Sequence, residues 1–269
     1  MALKDITLGQ YFPGHSPVHR LDPRTKLIAV VLYIVALFLA NWFVSYAVMF
    51  LTLAVSIAIS QVPVKSILRG MKPVVFILVF TALLNLFYTG GETVLVHFWI
   101  FTVTLEGVLR AFFMVIRILM LIAGTFLLTY TTSPILLTDG LESLLGPLKK
   151  IKVPVHELAM MMSIALRFIP TLIEETDKIM SAQRARGADF ESGNLIQRAK
   201  ALLPLLVPLF ISAFRRADEL ATAMECRCYH GGEGRTRLRQ LRYQRADYFT
   251  LALFLGIAVG VGILGHFGL

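Results

Sequence analysis

The sequence predicts an all-α membrane protein. About five transmembrane helices are expected, with a large cytoplasmic insert that holds one short amphipathic helix and two long helices that must cross or lie side by side. Three observations carry that prediction. The chain of 269 residues is 57% hydrophobic with a mean hydropathy of +0.72, against roughly 45–50% apolar in soluble domains. Its net charge of +9 is unevenly placed: residues 132–247 hold 17 of the 26 Lys+Arg and 13 of the 17 Asp+Glu, a net of +4, and the flanking stretches are mostly apolar. Within that insert the chain echoes itself at a spacing of 41 residues, which lays Asp177 on Asp218, Ile179 on Leu220, Ala182 on Ala223 and Arg186 on Arg227. The predicted organisation is therefore 1–131 with four spans, 132–247 as the insert, and 248–269 as the last span.

Residues 1–26 form a polar leading segment. It contains Pro13, Pro17 and Pro23 and no apolar core region, so no cleavable signal peptide is expected. Asp22 and Pro23 read as N-cap and first helical residue. Arg24 and Lys26 are then expected at the membrane surface on the side that favours positive charge. The next 34 residues, 27–60, are apolar and broken at Asn41-Trp42; two tightly joined spans fit, 27–42 and 43–60. Lys65, Arg69 and Lys72 return the chain to the side of the N-terminus, and 73–89 is the third span. Residues 90–106 begin with Gly90-Gly91, are rich in β-formers and lack Lys and Arg, which predicts an outer loop with a small hairpin.

The fourth span, 107–131, holds Arg110 and Arg117, seven apart and so on one face. One charge with no acidic partner in the spans makes a poor relay. Arg117 is therefore read as a structural arginine, paired inside the bundle with Asn85 or with freed carbonyls. Ser133-Pro134 starts the insert as cap and first helical residue, and Leu137, Leu141, Leu144 and Leu148 stripe a short amphipathic helix lying on the membrane or on neighbouring helices. A long helix is predicted from Pro154 to Arg186, roughly 50 Å at 1.5 Å per residue. Its apolar stripe runs Leu158, Met162, Ala165, Ile169, Leu172, Thr176, Ile179, and Pro170 should kink it. A break falls at Ala188 to Asn194, with Gly193 in it. A second long helix is predicted from Leu195 to Tyr229. Its run Ala201 to Phe214, with Pro204 and Pro208, is too short to span and is expected to be buried against other helices. His230-Gly-Gly-Glu-Gly234 stops it, and Arg235, Arg237, Arg239, Arg242 and Arg245 are expected at lipid headgroups. In the last span, Tyr248 to Phe267, Gly256 and Gly260 suggest a small-xxx-small packing face.

The two copies of the echo end the two long helices. Each presents one arginine between small residues: Ala185, Arg186 and Gly187 in the first, Cys226, Arg227 and Cys228 in the second. Small flanks let a backbone approach a partner while a five-donor guanidinium reaches in. A chain with two such tips suits two similar sockets; two solvated helix ends that share an arginine are the alternative.

Several chemistries lack their residues. There is no Walker A pattern. His156-Glu157 opens like a zinc-protease helix, but Met160 stands where the second histidine belongs. Cys226, Cys228 and His230 lie within five residues, yet i and i+2 point apart on a helix. No metal is expected on this chain. The spans lack paired acids. The insert is mixed in sign and almost free of interleaved aromatics, which argues against nucleic acid as a partner. A membrane-embedded enzyme would need a titratable cluster, and a stand-alone permease would need polar, discontinuous spans at mid-depth. Only Asn85 and Arg117 qualify for the latter.

Against that background the chain resembles a known family. Gln10-Tyr-Phe-Pro-Gly-His-Ser-Pro-Val-His-Arg-Leu-Asp-Pro-Arg-Thr-Lys26, Thr131-Thr-Ser-Pro134, Ala165-Leu-Arg-Phe-Ile-Pro170, Ala182-Gln-Arg-Ala-Arg-Gly187 and Ala223-Met-Glu-Cys-Arg-Cys-Tyr229 resemble, in that order, the transmembrane T component of energy-coupling factor (ECF) transporters, the EcfT, CbiQ and BioN-like family. One departure is visible: the family's second tip is Ala-Arg-Gly-like, and here it is Cys226-Arg227-Cys228. The resemblance implies a non-catalytic subunit that joins two cytoplasmic ABC-type ATPases to one substrate-binding membrane S component, for uptake of a vitamin or metal ion, with the two long coupling helices crossing. ATP and Mg would sit on the ATPases, with no cofactor on this chain. Each arginine tip would seat in one ATPase. The apolar faces of the long helices, with Leu158, Met162, Ile169, Leu202, Leu206 and Phe210, would grip the S component. Membrane lipids complete the expected partners, the prokaryotic plasma membrane is the expected location, and length and leading segment are closer to the type shared by several S components.

Overall fold

The computed structural model describes residues 11–88, 93–98, 101–190, 194–231 and 240–267. Its helices, in chain order, are α1 (Pro17–Arg20), α2 (Pro23–Leu39), α3 (Phe43–Ser60), α4 (Val64–Met71), α5 (Val75–Tyr88), α6 (Leu105–Thr131), α7 (Pro134–Leu144), α8 (Val155–Ala185), α9 (Leu195–Ala201), α10 (Leu203–Glu225) and α11 (Arg245–Phe267). Short 3-10 turns cover Lys72–Val74 and Gly146–Ile151. An antiparallel hairpin, β1 (Val94–Phe98) and β2 (Phe101–Thr104), precedes α6 with Val96 opposite Val103. This is the predicted all-α membrane architecture with its small hairpin. The chain divides into two compact units, one of Gly9–Gly140 with Leu241–Leu269, the other taking in Leu141–Gln240.

The first unit is a helical bundle. Its core joins Tyr33, Leu37, Met49, Ile67, Met120, Leu127 and Val261. Its outer face is apolar: Phe38, Phe50, Leu51, Phe76 and Phe80 are all more than half exposed, as expected where lipid replaces water as the solvent. α2 runs parallel to α11, since Asp22 meets Asp247 at one end and Leu39 meets Gly262 and Gly265 at the other. Among the described residues, five helical stretches are long and apolar enough to cross a membrane: α3, Val64–Phe87, α6, α8 and Arg245–Gly265. The predicted first span is the short one. With 17 residues, α2 is about 25 Å long, because the turn at Ala40–Trp42 ends it early. α8 qualifies through its apolar first half, although its second half carries Glu174, Glu175, Asp177, Lys178 and Arg184.

Local chemistry sets the helix starts as read from the sequence. Asp22 caps α2 by accepting from the Arg24 amide at 2.9 Å, with Pro23 first in the helix. Ser133 caps α7, its hydroxyl accepting from the Leu136 amide. Arg117 is structural as predicted: it donates to the Tyr46 hydroxyl and to the Ala40 carbonyl, both at 2.8 Å. The carbonyl is one freed by the end of α2, while Asn85 instead donates to Thr81 O and Met114 Sδ.

Other expectations are corrected. Lys26, expected at the membrane surface, is enclosed by the chain itself. It is 6% exposed, and its Nζ donates to Thr131 O (2.9 Å), Thr132 Oγ1 (3.1 Å) and His19 O (3.2 Å). Asp247, 1% exposed, accepts from the amides of Asp22 (2.9 Å) and Gln244 (2.7 Å). Arg24 pairs with Asp22 at 2.9 Å and lies 4.0 Å over the Tyr243 ring. Burial raises the Asp22 carboxyl, but the hydrogen bonds and charge of Arg24, with Lys26 adding, hold it below the usual carboxylate range. The leading segment is thus a polar knot that ties the starts of α2 and α11 to the end of α6. The other corrections concern faces. Gly256 and Gly260 face open space, while Gly265 makes the close approach, a Cβ there meeting Leu39 O of α2 at 3.1 Å, and Gly262 is in ordinary contact with Leu39. Within the chain α7 buries Thr138 and Gly140, while Leu141, and Leu148 in the 3-10 turn that follows, stay exposed, as a stripe lying on a membrane would be. The room at Gly140 decides this, since a Cβ there would meet Pro23 Cβ at 3.0 Å. The expectations for Gly90, Gly91, Gly193, Arg235, Arg237 and Arg239 lie outside the described residues.

Candidate functional site

The second unit is built on α8 and α10. The predicted second long helix is divided: Pro204 has no amide to continue the ladder, so α9 ends at Ala201 and α10 begins at Leu203 with Pro204 in its first turn. α8 continues through Pro170. α8 and α10 run antiparallel and stay in contact along much of their length. Gln183 Nε2 donates to Pro204 O at 3.4 Å. Eight residues back along α8, Glu175 accepts from the Ser212 hydroxyl and from Arg216 Nη2, the latter at 2.8 Å. Further on, Met160 and Ile164 share a groove with Leu220 and Met224.

The two tips have the same backbone. At the end of α8 the Gly187 amide donates to Arg184 O (2.9 Å) and the Ala188 amide to Gln183 O (3.0 Å). At the end of α10 the Cys228 amide donates to Glu225 O (2.8 Å) and the Tyr229 amide to Met224 O (3.0 Å). Every donor and acceptor is displaced by 41. Both ends are Schellman caps, whose 6→1 and 5→2 bonds satisfy the last helical carbonyls. The cap requires a left-handed residue after the arginine; Gly187 has φ +87° and Cys228 φ +58°. The small flank predicted for close approach therefore has a second cause, the turn itself. Glycine adopts that φ freely, while a side chain costs about 1–2 kcal/mol there. Cys228→Gly is accordingly expected to raise the thermal midpoint of the purified protein slightly and to slow amide exchange at Tyr229. An unchanged exchange rate would show that the turn at Cys228 is unstrained.

Arg186 and Arg227 are exposed, as are Ala185, Gly187, Cys226 and Cys228. Among the described residues neither arginine has an ion pair or a side-chain hydrogen bond within the chain. The second tip is backed by a groove of about 390 Å³ lined by Met160, Ile164, Met224, Arg227, Tyr229 and His230, among others. Cys226 and Cys228 are free and exposed, and no metal-binding group of side chains occurs among the described residues. The predicted apolar face is exposed: Leu158 (46%), Met162 (47%), Leu202 (43%), Leu206 (42%) and Phe210 (61%), with Ile169 half-buried. The expectation that Ala201 to Phe214 packs on other helices of the chain is thus corrected. Only Leu205 is buried there, while Leu203, Val207, Ile211 and Phe214 extend the exposed face at helical spacing.

The sequence reading missed the Glu175–Arg216 pair and the polar knot. The signal for the pair was present, since residues 175 and 216 are 41 apart and opposite in charge. For the knot, only the acidic residue at each helix start, Asp22 and Asp247, was visible.

Comparison with known proteins agrees with this architecture. The family model CbiQ, described as a cobalt transport protein, matches residues 14–238. The chain is 57% identical over 265 residues to the protein named energy-coupling factor transporter transmembrane protein EcfT of Thermosediminibacter oceani, covering 98% of this chain and 97% of that one. The protein of the same name from Ruminiclostridium cellulolyticum is 55% identical over 251 residues, 93% of this chain and 94% of that one. The Bacillus subtilis protein of that name is 50% identical over 256 residues, 95% and 97% of the two chains.

Proposed function

Because this chain belongs to the family of transmembrane T components of ECF transporters, and so is a multi-pass membrane protein of prokaryotic cells, we propose that it links two cytoplasmic ABC-type ATPases to one substrate-binding S component. Residues 132–247 lie on the cytoplasmic side in this reading. The parallel run of α2 and α11, which sets Asp22 beside Asp247, fits an N-terminus on that same side and a C-terminus outside. The substrate is a vitamin or metal ion carried by the S component, and ATP with its Mg belongs to the ATPases.

The observation that carries the reading is the matched pair of arginine tips. Antiparallel helices with like caps at opposite ends present two like plugs facing two ways. Two ATPase subunits supply two like sockets. A membrane-embedded enzyme or a stand-alone permease has no use for such a pair. The second support is the exposed face Leu203, Leu206, Val207, Phe210, Ile211 and Phe214, which is too apolar to leave in water and suits a small membrane protein as partner.

Co-purification from a membrane extract tests the proposal. Two ATPase subunits and a small membrane protein are expected with the unmodified chain. A double Leu206→Glu, Phe210→Glu variant is expected to lose the small membrane protein and keep the ATPases. Recovery of the unmodified chain alone would overturn the reading, and loss of the ATPases from the double variant would misplace the S-component face.

A further inference from the structure

The 41-residue echo and the antiparallel packing together define a centre. Two antiparallel copies of one segment are related by a local two-fold axis, and only equivalent residues can meet on it. In α8 and α10 the equivalent residues are i and i+41. Glu175 and Arg216 are such a pair, and they are in contact at 2.8 Å. The other contacts fit the same axis: Gln183 with Pro204 on one side, and Met160 and Ile164 beside Leu220 and Met224 on the other. From this centre each tip is equally far, since Arg186 lies 11 residues beyond Glu175 and Arg227 lies 11 beyond Arg216. Both stretches are continuous helix up to the caps, so each tip is about 16 Å from the centre.

We propose that Glu175 and Arg216 form the pivot of a pseudo-two-fold lever, fixing the angle between α8 and α10 so that motion at one arginine tip is returned at the other. This rests on the functional reading above and adds the residues that position the tips. The pivot is suited to that role chemically. A charge-assisted pair is directional, whereas an apolar contact at the same place would let the helices slide. The Ser212 hydroxyl donates to Glu175, which anchors the carboxylate side of the pair. The position equivalent to Ser212 is 171, and Thr171 stands there. A carboxylate moved to position 216 would therefore find a hydroxyl at the matching place on the other helix.

Charge exchange tests this on the complete transporter, purified and reconstituted in vesicles. Arg216→Glu sets two carboxylates at the centre, and Glu175→Arg sets two guanidiniums there. Each single variant is expected to keep its ATPases, to go on hydrolysing ATP, and to lose transport by about tenfold or more. The number of ATP molecules spent per substrate imported then rises, which simple loss of folded protein would not produce. The double exchange, Glu175→Arg with Arg216→Glu, is expected to restore both transport and that ratio. A double variant as impaired as the singles would overturn the pivot, as would single variants that transport at the unmodified rate. Failure of the functional reading looks different: the unmodified chain would then bring no ATPases with it.

Discussion

The Arg186→Ala, Arg227→Ala double variant is expected to lose its ATPase subunits, while either single variant keeps them and transports poorly. Both guanidiniums are exposed and unpaired among the described residues, each on a Schellman cap that holds the arginine in a fixed turn. Such a group contributes to binding through a partner charge. Removing it leaves that charge buried and unpaired, at a cost of about 2–5 kcal/mol per tip. An interface made of several helices survives one such loss and fails after two. Lysine at either position should restore little, because an ammonium cannot make the planar two-donor contact. The measurements are uptake into vesicles and recovery of the ATPases with each variant. Transport at the unmodified rate by the singles and the double would reduce both arginines to ordinary helix ends.

The second large effect is expected at the polar knot. Asp247→Ala removes the acceptor of the Asp22 and Gln244 amides and a negative charge close to the buried Lys26. The buried Asp22 amide is left without a partner, at a cost of about 1–3 kcal/mol, and the part-buried Gln244 amide loses its acceptor as well. The loss reaches the starts of both α2 and α11, so the expected outcome is a chain that inserts poorly and, once purified in detergent, melts well below the unmodified protein. Asp247→Asn retains one acceptor oxygen and should fall between. Lys26→Ala acts on the same knot by stripping the donor from Thr131 O, Thr132 Oγ1 and His19 O. The knot also carries a pH dependence. Asp22 has its carboxyl held below the usual value, so its contribution is complete above the unfolded pKa of about 4. It is lost as pH falls through the lower folded value, and acid should therefore weaken the knot. An Asp247→Ala protein with the unmodified melting temperature and yield would show that the knot is not needed for folding.

The tips illustrate what is readable locally and what is not. That Arg186 and Arg227 would end two long helices follows from periodicity and from the repeat. At the first end Gly187 is a residue suited to the left-handed cap, although its smallness alone suggested only close approach to a partner. Cys228 gives no such sign, and its φ of +58° is imposed by the turn. Pro204 was visible as a helix breaker, yet the apolar run around it favoured a single continuous helix. The absent amide decided in favour of two.

By itself the sequence determined the membrane class, the positions of α3, α6 and α11 to within a few residues, the caps at Asp22 and Ser133, and the twofold arginine pattern. These depend on hydrophobic runs and cap chemistry, which act over a few neighbouring residues. Only the tertiary structure decided which face of each helix meets another. It set Gly262 and Gly265 against Leu39 in place of Gly256 and Gly260, enclosed Lys26 among two carbonyls and the Thr132 hydroxyl, and joined Glu175 to Arg216. Each of these contacts couples residues tens to hundreds of positions apart. Which partner a glycine or a lysine finds depends on the shape and unsatisfied polar groups of a distant helix, and no local pattern in the chain encodes those.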